Sequence, residues 1–106
     1  MTSVYFSVGP KPGQRSVTSS YGVTYVSQSE VALQGKVRVI ADADPFYGDD
    51  SKPYRGRVLT NPTWRAIKGQ AQRMLDRTKD YHYFLEGVQV AGQDGDVQLV
   101  RLVMGS

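Results

Sequence analysis

Cysteine is absent from this chain of 106 residues. Its absence excludes disulfide bonds, thiolate catalysis and cysteine-based zinc or iron–sulfur sites, so side-chain packing alone must hold the fold together. Histidine is nearly absent too, because His82 is the single one, and any catalytic triad would depend wholly on it. No serine stands in a nucleophile-elbow pattern either. The sequence therefore predicts a protein that is not an enzyme.

Long apolar runs are also missing, since no run approaches the ~20 residues that a membrane-spanning helix needs. Met1, Thr2 and Ser3 lead straight into a strand-like segment instead of a basic region followed by a hydrophobic signal. Hydrophobic residues at 40% and charged residues at 22% are ordinary for a folded protein. We therefore predict one domain over residues 1–106 with a cytoplasmic localisation.

Short stretches rich in β-branched and aromatic residues, separated by glycine and proline, are typical of strands joined by loops. Four such stretches precede residue 60: 4–8, 23–27, 31–41 and 55–59. In the third, Gly35 indicates either a hairpin or one long bent strand. The N-terminal part of the chain is thus predicted to form antiparallel strands.

A single amphipathic helix is predicted at about residues 62–77. Asn61 is a favoured helix N-cap residue, and Pro62 suits the first helical position because it has no N–H to leave unpaired. Apolar residues then recur at helical spacing, at Trp64, Ile67, Ala71, Met74 and Leu75. This stripe is expected to pack on the sheet.

The C-terminal part alternates as strands on both sides of Asp94 and Gly95, a pair that favours the tight turn of a β-hairpin. Together these patterns predict an α+β fold: an antiparallel sheet or small barrel of about five to seven strands, one helix and a C-terminal β-hairpin.

Positive charge is concentrated in one segment. Residues 52–79 hold eight of the thirteen basic side chains and one acidic residue, Asp76, although the net charge of the whole chain is only +3. Cations near a helix start, where backbone N–H groups lack helical partners, favour binding of a phosphate or another anion. The segment is therefore the predicted ligand-binding region.

Within this segment the extended stretch before the helix offers an aromatic ring for stacking and two guanidinium groups, while the first helical turns add more cations. The predicted ligand-binding residues are Tyr54, Arg55, Arg57, Asn61, Arg65 and Lys68. The alternative is a solvated basic face whose stems cover Trp64 and whose charges pair with the acidic loop before it.

That acidic loop carries Asp42, Asp44, Asp49 and Asp50. Its spacing does not match a calcium-binding EF-hand, so turn formation and pairing with the basic segment are predicted instead of a metal site. His82 is predicted to be a packed structural residue on a strand, on the same face as Glu86 but too far from it for a direct hydrogen bond.

The C-terminal half, from Asn61-Pro62-Thr63-Trp64 through residues 80–88 to Met104-Gly105-Ser106, resembles small uncharacterised accessory proteins of the kind that phages carry. The resemblance implies a non-enzymatic protein that binds and neutralises a host molecule such as a nucleotide signal. It assigns a role to no individual residue.

We therefore expect a binding protein for an anionic, nucleotide-like small molecule, without a cofactor. Because a small domain forms a pocket more easily between copies of itself, a homo-oligomer is also expected. Two alternatives remain open: a DNA- or RNA-binding accessory domain that uses the basic segment, and a protein-interaction or inhibitor module. Membrane partners are not expected.

Overall fold

A computed structural model describes residues 6–7, 17–19, 22–24, 31–82 and 84–105 of the chain. In this part of the chain one helix, α1 (Trp64–Thr78), accompanies eight strands and a short 3-10 turn, Pro45–Tyr47. The strands are β1 (Phe6–Ser7), β2 (Val17–Ser19), β3 (Gly22–Thr24), β4 (Lys36–Ala41), β5 (Tyr54–Arg55), β6 (Leu59–Thr60), β7 (Phe84–Asp94) and β8 (Val97–Gly105). The predicted α+β class is confirmed.

The main sheet has the order β1-β7-β8-β4, and β5 and β6 both pair with the far edge of β4. β2 and β3 pair separately as a small antiparallel ribbon. Within the described residues β1 does not pair with β5 or β6, so the sheet is open and does not close into a barrel. The predicted strands at residues 4–8 and 23–27 are described only over Phe6–Ser7 and residues 23–24, and their other residues lie outside the described part.

One pair departs from the expected antiparallel arrangement, because β4 and β8 run parallel. Parallel neighbours need a long crossover connection. Here the crossover consists of everything between Ala41 and Val97, including the helix. The sheet is therefore mixed, and α1 covers one of its faces.

The C-terminal hairpin forms as predicted. β7 and β8 pair antiparallel from Asp94↔Val97 at the turn to Phe84↔Gly105 at the open end. Gly95 supplies the positive φ of 61° that a two-residue turn requires. The pairing register shifts near Gly87 and again near Gly92, which bends the long hairpin.

The core lies between the helix and the sheet. The helix contributes Trp64, Ile67 and Ala71, which pack with sheet residues Val37, Val39, Leu59, Leu85, Val88 and Val100. All the helical members belong to the predicted apolar stripe. The burial of the stripe on the sheet is confirmed for these three residues; Met74 is also buried, whereas Leu75 is only partly buried.

The start of the helix differs from the prediction by two residues. Thr63 is the N-cap, and its side chain accepts a hydrogen bond from the backbone N–H of Ala66 at 3.3 Å. Asn61 instead adopts a left-handed conformation with φ 45° and accepts a hydrogen bond from the Gly35 N–H at 2.6 Å. The prediction that Asn61 caps the helix is thus wrong, because its side chain binds the loop that precedes β4.

The predicted strand over residues 55–59 is also interrupted. β5 ends at Arg55 and β6 begins at Leu59, and only the two short ends pair with β4. Gly56 still donates its backbone N–H to the Val39 carbonyl at 2.9 Å. The residues between the two strands are therefore held close to the sheet while Arg57 and Val58 remain exposed.

Candidate functional site

A groove lies between β5 and the C-terminal half of α1. Its volume is about 540 Å³, and it is lined by Pro53, Tyr54, Arg55, Arg73, Asp76 and Arg77. Small-molecule sites commonly enclose roughly 300–1,000 Å³. We call this feature the arginine groove, because three of its six lining residues are arginines.

The helix brings two of these arginines together. Arg73 and Arg77 are four residues apart, so their side chains lie on the same side of α1. The third, Arg55, comes from β5 and forms an exposed ion pair with Asp94 at 3.3 Å. An exposed pair of this kind contributes little stability and exchanges readily for another anion.

Hydrogen bonds attach the segment before β5 to the end of the helix. The Lys52 N–H donates to the Arg77 carbonyl at 3.0 Å, and the Arg77 Nε donates to the Pro53 carbonyl at 3.3 Å. The first of these satisfies a carbonyl of the last helical turn that has no partner within the helix. The two walls of the arginine groove are therefore fixed relative to each other.

Tyr54 of β5 also lines the arginine groove and bonds to the helix. Its hydroxyl donates to Oε1 of Gln70, a buried helical side chain, at 2.5 Å. Burial raises the pKa of Tyr54 above its ordinary value, while nearby Arg73 and Arg57 act in the opposite direction. Both guanidinium groups thus lie close enough to the Tyr54 ring to act on the pKa of its phenol group.

The pKa of Tyr54 leads to a prediction about alkaline pH. Because the native state holds the phenol proton more tightly than the unfolded chain, its contribution to stability is complete below about pH 10 and decreases as the pH rises through the native pKa. We expect Tyr54→Phe to flatten this alkaline decrease in urea-unfolding free energy. At neutral pH the variant should lose about 0.5–1.5 kcal/mol, because the hydrogen bond to Gln70 is removed. An unchanged alkaline slope would contradict the assignment.

The structure brings only some of the sequence-predicted ligand-binding residues together. Tyr54 and Arg55 line the arginine groove, and Arg57 lies near the Tyr54 ring. Arg65 and Lys68 are on α1, but at ~100° per residue they project about 80° and 140° away from the direction of Arg73. Asn61 is engaged with Gly35.

Another part of the chain contacts the residues just before the helix N-terminus, where the anion site was expected. The backbone N–H of Ala32 donates to the Pro62 carbonyl at 2.7 Å, and Val31 forms a bridge with Thr63. Arg73 and Arg77, in contrast, were not among the predicted ligand-binding residues. Their spacing of four residues within the basic segment was the signal available in the sequence.

The acidic loop forms a turn, as predicted. Asp44 accepts a hydrogen bond from the Phe46 N–H at 2.9 Å and caps the 3-10 turn. Asp42 pairs with Arg101 of β8 at 3.1 Å and not with the basic segment. Among the described residues no group of three or more histidine and carboxylate side chains is placed to hold a metal ion.

His82 precedes β7, so it does not lie on a strand with Glu86 as predicted. Its Nδ1 is 2.5 Å from Oδ1 of Asp80, which also accepts the His82 backbone N–H at 2.9 Å. The Tyr47 hydroxyl lies 3.5 Å from the same Nδ1. Burial, and after it the charge of Asp80, raises the pKa of Tyr47.

An aspartate that orients a histidine is also found in general-base catalysis. In the described part of the chain, the hydrogen-bond partners of the His82 ring are Asp80 and Tyr47, and neither is a serine nucleophile. The contacts that are present hold the segment after the helix in place.

Comparison with known families, curated proteins and solved structures finds no match to this chain. The resemblance to phage accessory proteins therefore stays a prediction. No helix in the described part of the chain is both long and apolar enough to cross a bilayer. The fold and site together define an α+β protein with an arginine-lined groove at the sheet–helix boundary.

Proposed function

We propose that this protein is a non-enzymatic binding protein for an anionic, nucleotide-like small molecule, which it holds in the arginine groove. The single observation that supports this most is the convergence of Arg55, Arg73 and Arg77 from two elements on one groove. Guanidinium groups bind phosphate through paired hydrogen bonds, so three of them in one groove suit a ligand with one or two phosphates.

The charges at the groove support an anionic ligand even though Asp76 is also present. Three arginines and one aspartate line it, and the net lining charge is therefore +2. The C-terminal end of a helix carries a partial negative charge, which disfavours anions there and stabilises Arg77 in the absence of ligand. The guanidinium groups must outweigh the partial negative charge of the helix end. An anion that binds Arg73 and Arg77 together contacts two full positive charges, which exceed that partial charge.

The distribution of the other cations favours a small ligand over a long nucleic acid. Arg65 and Lys68 project away from the arginine groove, so the helical cations do not form one continuous track. A nucleic acid that contacts many phosphates would show a steep fall in affinity with salt, whereas a ligand in one groove would show a shallow fall. The salt dependence of binding thus separates the proposal from the nucleic-acid alternative.

The proposal predicts the effect of removing two charges from the groove. We expect Arg73→Gln combined with Arg77→Gln to weaken binding of ADP and of pyrophosphate by at least about 10- to 100-fold, since the loss of one charge-assisted hydrogen bond of ~1.5–3 kcal/mol already has that effect. Isothermal titration calorimetry at low and physiological salt measures the change.

The matched control is Arg65→Gln combined with Lys68→Gln, which removes the same charge from the same helix outside the groove. We expect this pair to change affinity by no more than about twofold at physiological salt. Equal losses in both pairs would show a diffuse electrostatic effect and contradict a site in the groove. Binding of oligonucleotides alone would favour the nucleic-acid alternative, and retrieval of one specific protein would favour the interaction module.

The proposed homo-oligomer is tested separately. Light scattering on the natural chain, with and without a nucleotide, should give a mass that is a multiple of the chain mass of 11.8 kDa. A strictly monomeric mass under both conditions would contradict the proposed oligomer. The proposed groove, formed within one chain, would be unaffected by that result.

A further inference from the structure

Four aromatic rings lie against each other just beyond the end of α1. The Tyr47 and Tyr81 ring centroids are 5.3 Å apart in an edge-to-face arrangement, and Phe46 contacts both rings at 5.8 and 6.3 Å. His82 stacks on Tyr81 with centroids 4.7 Å apart and an angle of 22° between the ring planes. We call these four residues the aromatic platform.

Hydrogen bonds hold both segments of the platform in position. Asp44 caps the turn that carries Phe46 and Tyr47, and the Asp44 N–H donates in turn to the Ser51 hydroxyl at 2.9 Å. On the other segment, Asp80 accepts both the backbone N–H and the ring of His82. The rings are thus arranged before any ligand arrives, which lowers the entropic cost of binding.

The outer part of the platform is open to solvent. Phe46 is 77% exposed and Tyr81 is 54% exposed, the two largest values among the exposed large hydrophobic residues in the described part of the chain. An isolated exposed aromatic residue needs no explanation, but two adjacent rings held in a rigid arrangement form a preformed contact surface. Because the planes of the two rings are 44° apart, a planar ligand ring can stack on one of them and contact the other obliquely.

The platform also lies close to the arginine groove. Three residues separate Arg77 from Tyr81, so their Cα atoms are at most about 14 Å apart. Lys52 and Lys79 are both exposed. The backbone N–H of Lys52 donates to the Arg77 carbonyl, and Lys79 is the C-cap of the helix, two residues after Arg77. Two further cationic residues therefore adjoin the segment that connects Arg77 with Tyr81.

We infer that the aromatic platform binds the nucleobase of the same nucleotide whose phosphates occupy the arginine groove, with the base stacked on the exposed ring of Phe46 beside Tyr81. This inference rests on the proposed function and extends it, because it identifies the second half of the ligand. Charge complementarity selects a nucleotide over an uncharged aromatic molecule. Stacking is tolerant of base identity, so selectivity among bases is expected to be modest.

The test uses the single histidine and the single tryptophan as NMR reporters. His82 belongs to the platform, whereas Trp64 is buried in the core at 5% exposure. Titration with the uncharged nucleosides adenosine and uridine should shift the ring C–H signals of His82 and leave the Trp64 indole signal in place. The same shift should occur in the Arg73→Gln, Arg77→Gln variant, because no phosphate is involved.

Affinity measurements on Phe46→Leu complete the test, with Val90→Ala as a control at another exposed apolar residue. Phe46→Leu keeps apolar bulk and removes the aromatic ring. We expect it to weaken ADP binding about tenfold and to leave pyrophosphate binding unchanged within about twofold, since one base stack is worth ~1–3 kcal/mol. Val90→Ala should change neither affinity.

The outcomes separate the two proposals. If ADP binding depends on Arg73 and Arg77 but not on Phe46, and nucleosides leave His82 unmoved, the platform inference is overturned and the groove stands. If nucleosides shift His82 while the arginine pair has no effect on ADP or pyrophosphate, the proposed groove fails and the stacking site stands. If neither effect is seen, both are overturned.

Discussion

Replacing Ile67 with alanine is expected to lower the free energy of unfolding by about 2–5 kcal/mol, the range for removing a large aliphatic side chain from a packed core. Ile67 is fully buried between α1 and the sheet, together with Val37, Val39 and Val100. Its removal would leave a cavity that these sheet residues can fill only partly. Urea unfolding followed by circular dichroism measures the effect.

The control for this prediction is Gln72→Ala on the exposed side of the same helix, which should change stability by no more than about 0.5 kcal/mol. Because a 106-residue domain has a total stability of only ~5–15 kcal/mol, the Ile67 variant would be largely unfolded if the natural chain lies near the lower end. A loss below 1 kcal/mol, or equal losses in the two variants, would mean that the helix does not pack on the sheet as described.

Two glycines are expected to respond in opposite ways to the same substitution. Gly56 is buried beneath Tyr54, where an added Cβ would overlap Oε1 of Gln70 and lie 3.1 Å from the Tyr54 hydroxyl oxygen. Since Gln70 is itself buried and hydrogen-bonded to Tyr54, it has little room to move. We expect Gly56→Ala to destabilise the protein by about 1–3 kcal/mol.

Gly69 is the matched control, because an added Cβ there meets no atom within 4 Å. Gly69 is exposed in the interior of α1, where alanine is favoured over glycine by roughly 0.5–1 kcal/mol. Gly69→Ala should therefore stabilise the protein. Thermal and urea unfolding of both variants measures the difference, and destabilisation of both, or of neither, would contradict the packing of β5 on the helix.

A double variant locates the origin of the Gly56 effect. Gln70→Ala removes the side chain that the new methyl group would meet, so the cost of Gly56→Ala should be smaller in that background than in the natural chain. Additive losses would show that the close approach of Gln70 is not the cause. Because the added methyl group would approach both Gln70 and the Tyr54 side chain, the arginine groove should also lose affinity for anions in Gly56→Ala.

Local signals in the sequence were sufficient for the elements with strong periodicity or turn chemistry. The apolar stripe from Trp64 to Leu75 predicted the helix, and Asp94-Gly95 predicted the hairpin. Asn61 was misassigned because it is a favoured cap residue in general, while here Gly35, far away in the sequence, occupies its side chain. A cap preference is local, and a loop contact can override it.

The candidate site was predicted less well than the fold. The basic segment 52–79 was recognised from charge alone, and Tyr54 and Arg55 do line the groove. The order of cations around α1 follows from helical spacing, but which side of the helix faces β5 depends on how β5 pairs with β4. Arg73 and Arg77 were therefore passed over, and the aromatic platform, built from residues 46–47 and 81–82, left no pattern in the sequence.

The sequence by itself determined the α+β class, the helix with its buried face, the hairpin turn and the concentration of positive charge, because each depends on residues that are close along the chain. Only the tertiary structure decided the parallel pairing of β4 with β8, the placement of Arg55 beside Arg73 and Arg77, and the contact between Phe46 and Tyr81. These features join residues that are distant along the chain, and the packing of the helix against the sheet selects among the possible pairings.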